Sequence, residues 1–361
     1  MTSLSDLPIR ADLAGLKPYG APQLEVPVAL NVNENTHRIP EPVAQDIIER
    51  IAAAVLRLNR YPDREFTTLR QALAKYLGAG LAAENIWAAN GSNEVIQQIF
   101  QAFGGIGRKS LGFGPTYSMY SLLALGTQTE YVDAPRGDRY ELSAGLVAEA
   151  IAKHQPNIVL LCSPNNPTGT PVALEVIEAA YEALPQNAVL VVDEAYAEFA
   201  GDANESAITL LPGRPRLLVS RTMSKAFAFA GARVGYLAAD PAVTDALRLV
   251  RLPYHLSALT QAAAEAALAH APEMLAMVDD ICFQRDRIVV ALTELGLDPY
   301  RTASNFVLFG GLADPADTWQ SLLERGVLIR NVGIAGTLRV SAGTQSETST
   351  FIDALTEVVA H

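Results

Sequence analysis

Four short polar stretches, each directly after a run of apolar residues, hold the side chains in this chain that could do chemistry. Lys225 closes Ser220-Arg221-Thr222-Met223-Ser224-Lys225, and Arg233 follows it. Asp193 opens Asp193-Glu194-Ala195-Tyr196, Asn166 lies in Ser163-Pro164-Asn165-Asn166-Pro167-Thr168-Gly169, and Ser92 and Asn93 follow Asn90-Gly91. Singly, each has a plain reading: a surface lysine, a helix-capping or metal-binding aspartate, a turn. Together they fit one chemistry. A lysine drawn out of water into a cleft has a lowered pKa, which frees its amine for Schiff-base formation. A buried carboxylate keeps a pyridinium nitrogen protonated and so makes the ring an electron sink. Hydroxyl and amide groups at a helix N-terminus, with an arginine, hold a phosphate. An asparagine and a tyrosine can hydrogen-bond a phenolate oxygen. These are the needs of pyridoxal 5′-phosphate.

Such side chains need a scaffold, and the hydrophobic pattern supplies one. Short apolar runs recur at Ile86–Ala89, Leu111–Phe113, Thr129–Val132, Ile158–Leu161, Val189–Val192, Leu217–Val219 and Val234–Ala238. Helical spacing separates most of them, as at Glu94–Phe103, Tyr117–Ala124, Ala144–His154 and Leu174–Leu184. Alternation with runs this uniformly apolar predicts an α/β fold with a mainly parallel sheet covered on both faces. In such sheets ligands sit outside the carboxyl ends of the strands, where the four polar stretches fall. Two helices are expected ahead of the sheet, from Glu41 to near Leu58 and from Leu69 to Leu77. Beyond about Asp240 come longer helices (Ala242–Leu252, Ser257–His270, Pro272–Leu295). A short strand set follows at Asn305–Phe309, Val327–Ile329 and Leu338–Val340. We therefore expect an arm over 1–40, a large domain over 41–245 and a smaller α+β domain over 246–361.

The 361 residues suit about two domains at roughly 150 residues each. Charged residues make up 18%, against roughly 25% in average chains. The net charge of −12 disfavours nucleic acid as a partner. Cys162 and Cys282 cannot form a disulfide framework, and the first residues show no secretory pattern, so a cytoplasmic enzyme is expected. Two uncharged stretches, Ser110–Thr129 and His154–Leu174, contain proline, glycine and polar clusters that a membrane span would not carry. They read as buried strands running into polar loops. His37, His255 and His270 show no metal-ligand spacing, and no metal is expected.

The succession GSNE, PTY, SPNNPTG, DEAY, SKAFAFAGARVGY and LRVS resembles the fold-type I PLP-dependent aminotransferases over nearly the whole chain. NIWAANGSNEVIQQIFQAFGG and LVRLPYHLSALTQAAA are most similar to the actinobacterial histidinol-phosphate branch of that family. The resemblance implies a seven-stranded sheet sandwiched by helices. It implies that Lys225 carries the coenzyme and shuttles the substrate proton, and that Asp193 pairs with the pyridinium nitrogen. Asn166 and Tyr196 bond the phenolate oxygen, and Tyr117 stacks on the ring. Ser92, Asn93, Thr222, Ser224 and Arg233 hold the phosphate, with Tyr61 arriving from the other subunit of a homodimer. Tyr117 and Tyr61 could instead fill helix interfaces, and Thr222 and Ser224 could be turn hydroxyls.

The implied substrates are L-histidinol phosphate and L-glutamate/2-oxoglutarate. Arg339 would serve both, Arg330 would add charge for the phosphorylated one, and Tyr19 would close over its phosphate. Arg330 could also be a solvated edge-strand charge. Asn35 lies in Asn31-Val32-Asn33-Glu34-Asn35-Thr36, the turn at the entrance. Thr36 stands where the family has proline, which leaves the turn's substrate contacts open. Three rivals remain: an aromatic amino acid aminotransferase on this scaffold, a PLP decarboxylase acting on a phosphorylated amino acid, and a PLP-sensing regulator. The last would need a DNA-binding domain ahead of a core that starts near residue 41.

Overall fold

The computed structural model describes residues 6–18, 20, 22–201 and 205–360. The chain enters through β1 (Val28–Ala29), α1 (Glu41–Val55) and α2 (Thr67–Leu77). It then alternates through β2 (Ile86–Ala89), α3 (Ser92–Phe103), β3 (Lys109–Gly114), α4 (Met119–Gly126), β4 (Glu130–Pro135) and α5 (Ala144–His154). Next come β5 (Ile158–Cys162), α6 (Leu174–Glu182), β6 (Val189–Asp193), β7 (Leu217–Thr222) and β8 (Gly235–Ala239). The remainder is α7 (Pro241–Val250), α8 (Ala258–Ala269), α9 (Ala271–Glu294), β9 (Asp298–Pro299), β10 (Phe306–Gly310), α10 (Pro315–Glu324), β11 (Val327–Leu328), β12 (Leu338–Ser341) and α11 (Gln345–Val359).

All seven apolar runs are strands of one sheet, ordered β2-β8-β7-β6-β5-β3-β4. β3, β4, β5, β6 and β7 pair in parallel, whereas β8 is antiparallel to both of its neighbours, so it alone runs the other way. β5 and β6 are buried at every position, which explains why they lack the alternation of a half-exposed strand. Every fully buried Leu, Ile or Val in them contributes roughly 1.5–3 kcal/mol relative to leaving it exposed. The order reverses between β3 and β5, opening a crevice at their carboxyl ends.

The helical spacing at Tyr117–Ala124 is α4, which takes up the polar half of Ser110–Thr129, with Tyr120 and Ala124 one helical turn apart on its buried face. Among the described residues no helix is long and apolar enough to cross a membrane.

The two chain ends meet. β1 pairs in parallel with β11, and the Ser341 N–H donates to the Leu30 carbonyl at 3.0 Å. A three-stranded sheet, β12-β10-β9, lies beside them. α8 packs on α1 and α2, and α7 packs on α3 and β2. The expected boundary near 245 falls inside α7. β1, β9, α10 and α11 had no counterpart in the sequence reading.

Candidate active site

A cavity of about 400 Å³ opens at the carboxyl ends of β3, β5, β6 and β7. Twelve of the expected site residues line it: Ser92, Asn93, Tyr117, Asn166, Asp193, Tyr196, Thr222, Ser224, Lys225, Arg233, Arg330 and Arg339. Asn33, Glu34 and Cys162 also line it. Asn35 stands behind this wall, its amide donating to the Ala226 carbonyl at 3.2 Å. Tyr19 lies outside the described residues. Tyr61 is 80% exposed, away from the cavity, and stacks on Tyr254 with ring centroids 4.4 Å apart.

Lys225 follows β7 and is half-buried. Its Nζ donates to the Val32 carbonyl at 3.0 Å, so an arm residue closes over the amine. Burial, then the charges of Arg339 and Arg233, lower its pKa to about 8, while Glu34 opposes them. Asp193 ends β6, and the Tyr120 hydroxyl donates to its Oδ2 at 2.8 Å. Its Oδ1 is buried without a hydrogen-bond partner. Burial pushes the Asp193 carboxyl up to about 6, against the pull of the Tyr120 hydroxyl. The neighbouring Glu194 is occupied elsewhere: it pairs with Arg221 at 2.8 Å and accepts from the Ala207 N–H at 2.6 Å.

The Tyr196 hydroxyl accepts from the Asn33 amide at 3.0 Å and the Asn166 amide at 3.4 Å. Arg339 donates to Asn166 Oδ1 at 2.6 Å and to the Asn31 carbonyl at 2.9 Å. Arg330 is held opposite it by reciprocal 2.9 Å backbone hydrogen bonds, which set two cations in one wall. The Tyr117 hydroxyl donates to Asn93 Oδ1 at 3.0 Å.

The start of α3 is built tightly. Gly91 has φ +85°, and a Cβ there would come within 2.6 Å of Arg233 Nη2. A Cβ at Gly235 would meet the Ser92 nitrogen at 2.0 Å. Both glycines therefore let Arg233 and β8 approach the helix N-terminus, a natural anion site. Thr222 holds the opposite turn, donating to the Val234 carbonyl at 3.1 Å and accepting from the Ser224 N–H at 3.1 Å.

Thr36 has a structural use: its hydroxyl accepts from the Thr344 N–H at 3.1 Å and ties the entrance turn to the N-cap of α11. His37 pairs with Asp280 at 3.0 Å, His270 with Asp46 at 3.3 Å, and His255 stacks on Trp87.

Sequence reasoning missed Asn33 and Tyr120. Asn33 sat inside the quoted entrance turn, but its partner is 163 positions away. Tyr120 had one signal: it lies one turn after Tyr117, hence on the same side as the cavity.

Comparison with known proteins agrees with this geometry. Residues 25–355 match the family model "Aminotransferase class I and II". The chain is 64% identical to a histidinol-phosphate aminotransferase of Paenarthrobacter aurescens (strain TC1), over 98% of this chain and 95% of that protein. It is 55% identical to one of Frankia casuarinae, over 97% and 89%. The crystal structure of histidinol-phosphate aminotransferase from Sinorhizobium meliloti in complex with pyridoxal-5′-phosphate superposes with a TM-score of 0.83 at 28% identity, covering 93% of this chain and 92% of that one. The chain belongs to the class I and II aminotransferases, on their histidinol-phosphate branch.

Proposed function

We propose that this chain transfers an amino group, reversibly and by a ping-pong scheme, between L-histidinol phosphate and 2-oxoglutarate, giving imidazole-acetol phosphate and L-glutamate in histidine biosynthesis. The observation that carries the reading is one cavity lined by a desolvated lysine, a buried carboxylate and three arginines. The cofactor is pyridoxal 5′-phosphate, and the orphaned Asp193 Oδ1 fits it: a buried acceptor without a donor suits a ring N–H. Bound, it supplies the electron sink that acidifies the substrate carbon.

The side chains divide the remaining work. Lys225 Nζ, with its pKa lowered to about 8, takes the substrate proton and returns it on the other side of the reaction. Asp193 holds the ring nitrogen. The Asn166 amide and the Tyr196 hydroxyl orient the phenolate oxygen, and Asn33 fixes the hydroxyl they share. Tyr117 covers the ring face. Ser92, Asn93, Thr222, Ser224 and Arg233 surround the phosphate at the start of α3. Arg339 grips the carboxylate of glutamate and the phosphate of histidinol phosphate in turn, and Arg330 adds charge for the dianion. The Val32 carbonyl and the entrance turn cover Lys225 from bulk water.

The reading includes a cytoplasmic homodimer and the division into arm, large domain and small domain given above. Support for the dimer comes from Leu56, Tyr61, Leu249 and Leu252, which are 75–86% exposed on adjoining segments. Tyr61 then reaches the phosphate of the opposite subunit. Sedimentation should give a dimer, and Tyr61→Phe, which keeps the ring but loses the hydroxyl, should raise the coenzyme Kd by about tenfold. A monomer with full activity counts against the shared site.

The substrate assignment is tested by comparing kcat/KM for histidinol phosphate with that for phenylalanine and tyrosine. We expect histidinol phosphate to lead by about a hundredfold or more, because an aromatic amino acid offers Arg339 only a carboxylate and leaves Arg330 without the phosphate dianion. Faster turnover of the aromatic amino acids would replace the assignment with the aromatic one.

A further inference from the structure

We propose that Tyr120 is a positioning residue: its hydroxyl, donated to Asp193 Oδ2, turns Oδ1 toward the coenzyme's ring nitrogen and keeps the proton of that contact on the nitrogen. This rests on the reading of Asp193 given above. Tyr120 lies in the first turn of α4, is wholly buried, and meets the Tyr117 ring edge-to-face at 5.6 Å. Burial, then the nearby Asp193 charge, raises its own pKa well above the usual phenol value, so it acts as a donor and not as an acid.

Asp193 has little other help in staying ionised. Among the described residues no lysine, arginine or histidine bonds its oxygens, and none donates to Oδ1. The Ala195 N–H assists, the Glu194 charge opposes, and Cys162 on β5 is buried beside it with its thiol pushed up to about 12. The Tyr120 hydroxyl is thus the leading influence favouring the carboxylate in a site where burial favours the neutral acid. Without it, the proton shared by carboxyl and pyridine moves toward the carboxyl, and the ring becomes a poorer electron sink. Exchange for phenylalanine fills the same volume, so packing is kept while the hydrogen bond is lost.

The test uses holoenzyme reconstituted with coenzyme carrying nitrogen-15 in the ring, observed by NMR near neutral pH. The wild-type resonance should lie in the pyridinium range. In Tyr120→Phe it should move toward neutral pyridine, and kcat should fall by about 10- to 100-fold while KM for glutamate stays within about twofold. An unmoved resonance in Tyr120→Phe overturns the proposal even if kcat drops, because the loss is then one of packing. Asp193→Asn separates the two levels. If it also leaves the resonance in the pyridinium range, the reading of Asp193 itself fails. If it moves the resonance and Tyr120→Phe does not, only the role of Tyr120 fails.

Discussion

Lys225→Ala is expected to lower amino transfer by about four orders of magnitude, the upper end of what a positioned acid–base group contributes, with loss of the coenzyme link as well. The visible absorbance of the lysine-linked coenzyme should vanish. The fold should survive, since among the described residues the side chain makes a single hydrogen bond, to the Val32 carbonyl, and removing it takes a desolvated amine out of the site. The measurements are single-turnover kinetics with glutamate, an absorbance spectrum and a thermal melt. Retained turnover in a folded, spectrally silent protein would overturn the central assignment.

The second large effect is at Arg339. Arg339→Ala should reduce kcat/KM by about a hundredfold for both glutamate and histidinol phosphate, through loss of charge-assisted contacts to each. It also strips Asn166 Oδ1 of a 2.6 Å donor, so part of the loss should fall on kcat. Arg330→Ala should cost about tenfold with histidinol phosphate and less with glutamate, because only the dianion needs both cations. Kinetics of the two half-reactions distinguish the variants. Equal losses for glutamate and histidinol phosphate in Arg330→Ala would show that the two arginines do not divide the work this way.

Much of this was legible in the sequence because the large sheet is covered on both faces. The runs at Ile86–Ala89, Leu111–Phe113, Ile158–Leu161, Val189–Val192 and Leu217–Val219 are apolar throughout, and residues a few positions after each of them line the cavity. The polar residues after four of those runs were therefore visible as a set. Contacts made by backbone, or across long separations, were not. β1 is a two-residue strand with no periodicity to read, and its pairing with β11, the strand expected at Val327–Ile329, brings Asn31 and Asn33 to the site. Tyr120 lies inside the helical span Tyr117–Ala124, and nothing local reveals that its hydroxyl meets Asp193 73 positions later. Tyr61 was singled out by resemblance alone, and within one chain it faces solvent beside Tyr254.

The buried Asp193 carboxylate has a consequence for how stable the chain is. Its folded pKa of about 6 lies above the roughly 3.9 of an unfolded aspartate, so the unfolded chain ionises first as pH rises. Between about pH 4 and pH 6 the coenzyme-free fold loses on the order of 3 kcal/mol, and at neutral pH it carries that whole deficit. The coenzyme binds only the folded chain and offsets the loss by mass action. The coenzyme-free chain is therefore expected to melt below the holoenzyme near neutral pH, with the gap contributed by Asp193 shrinking toward pH 4, which paired thermal melts at the two pH values check.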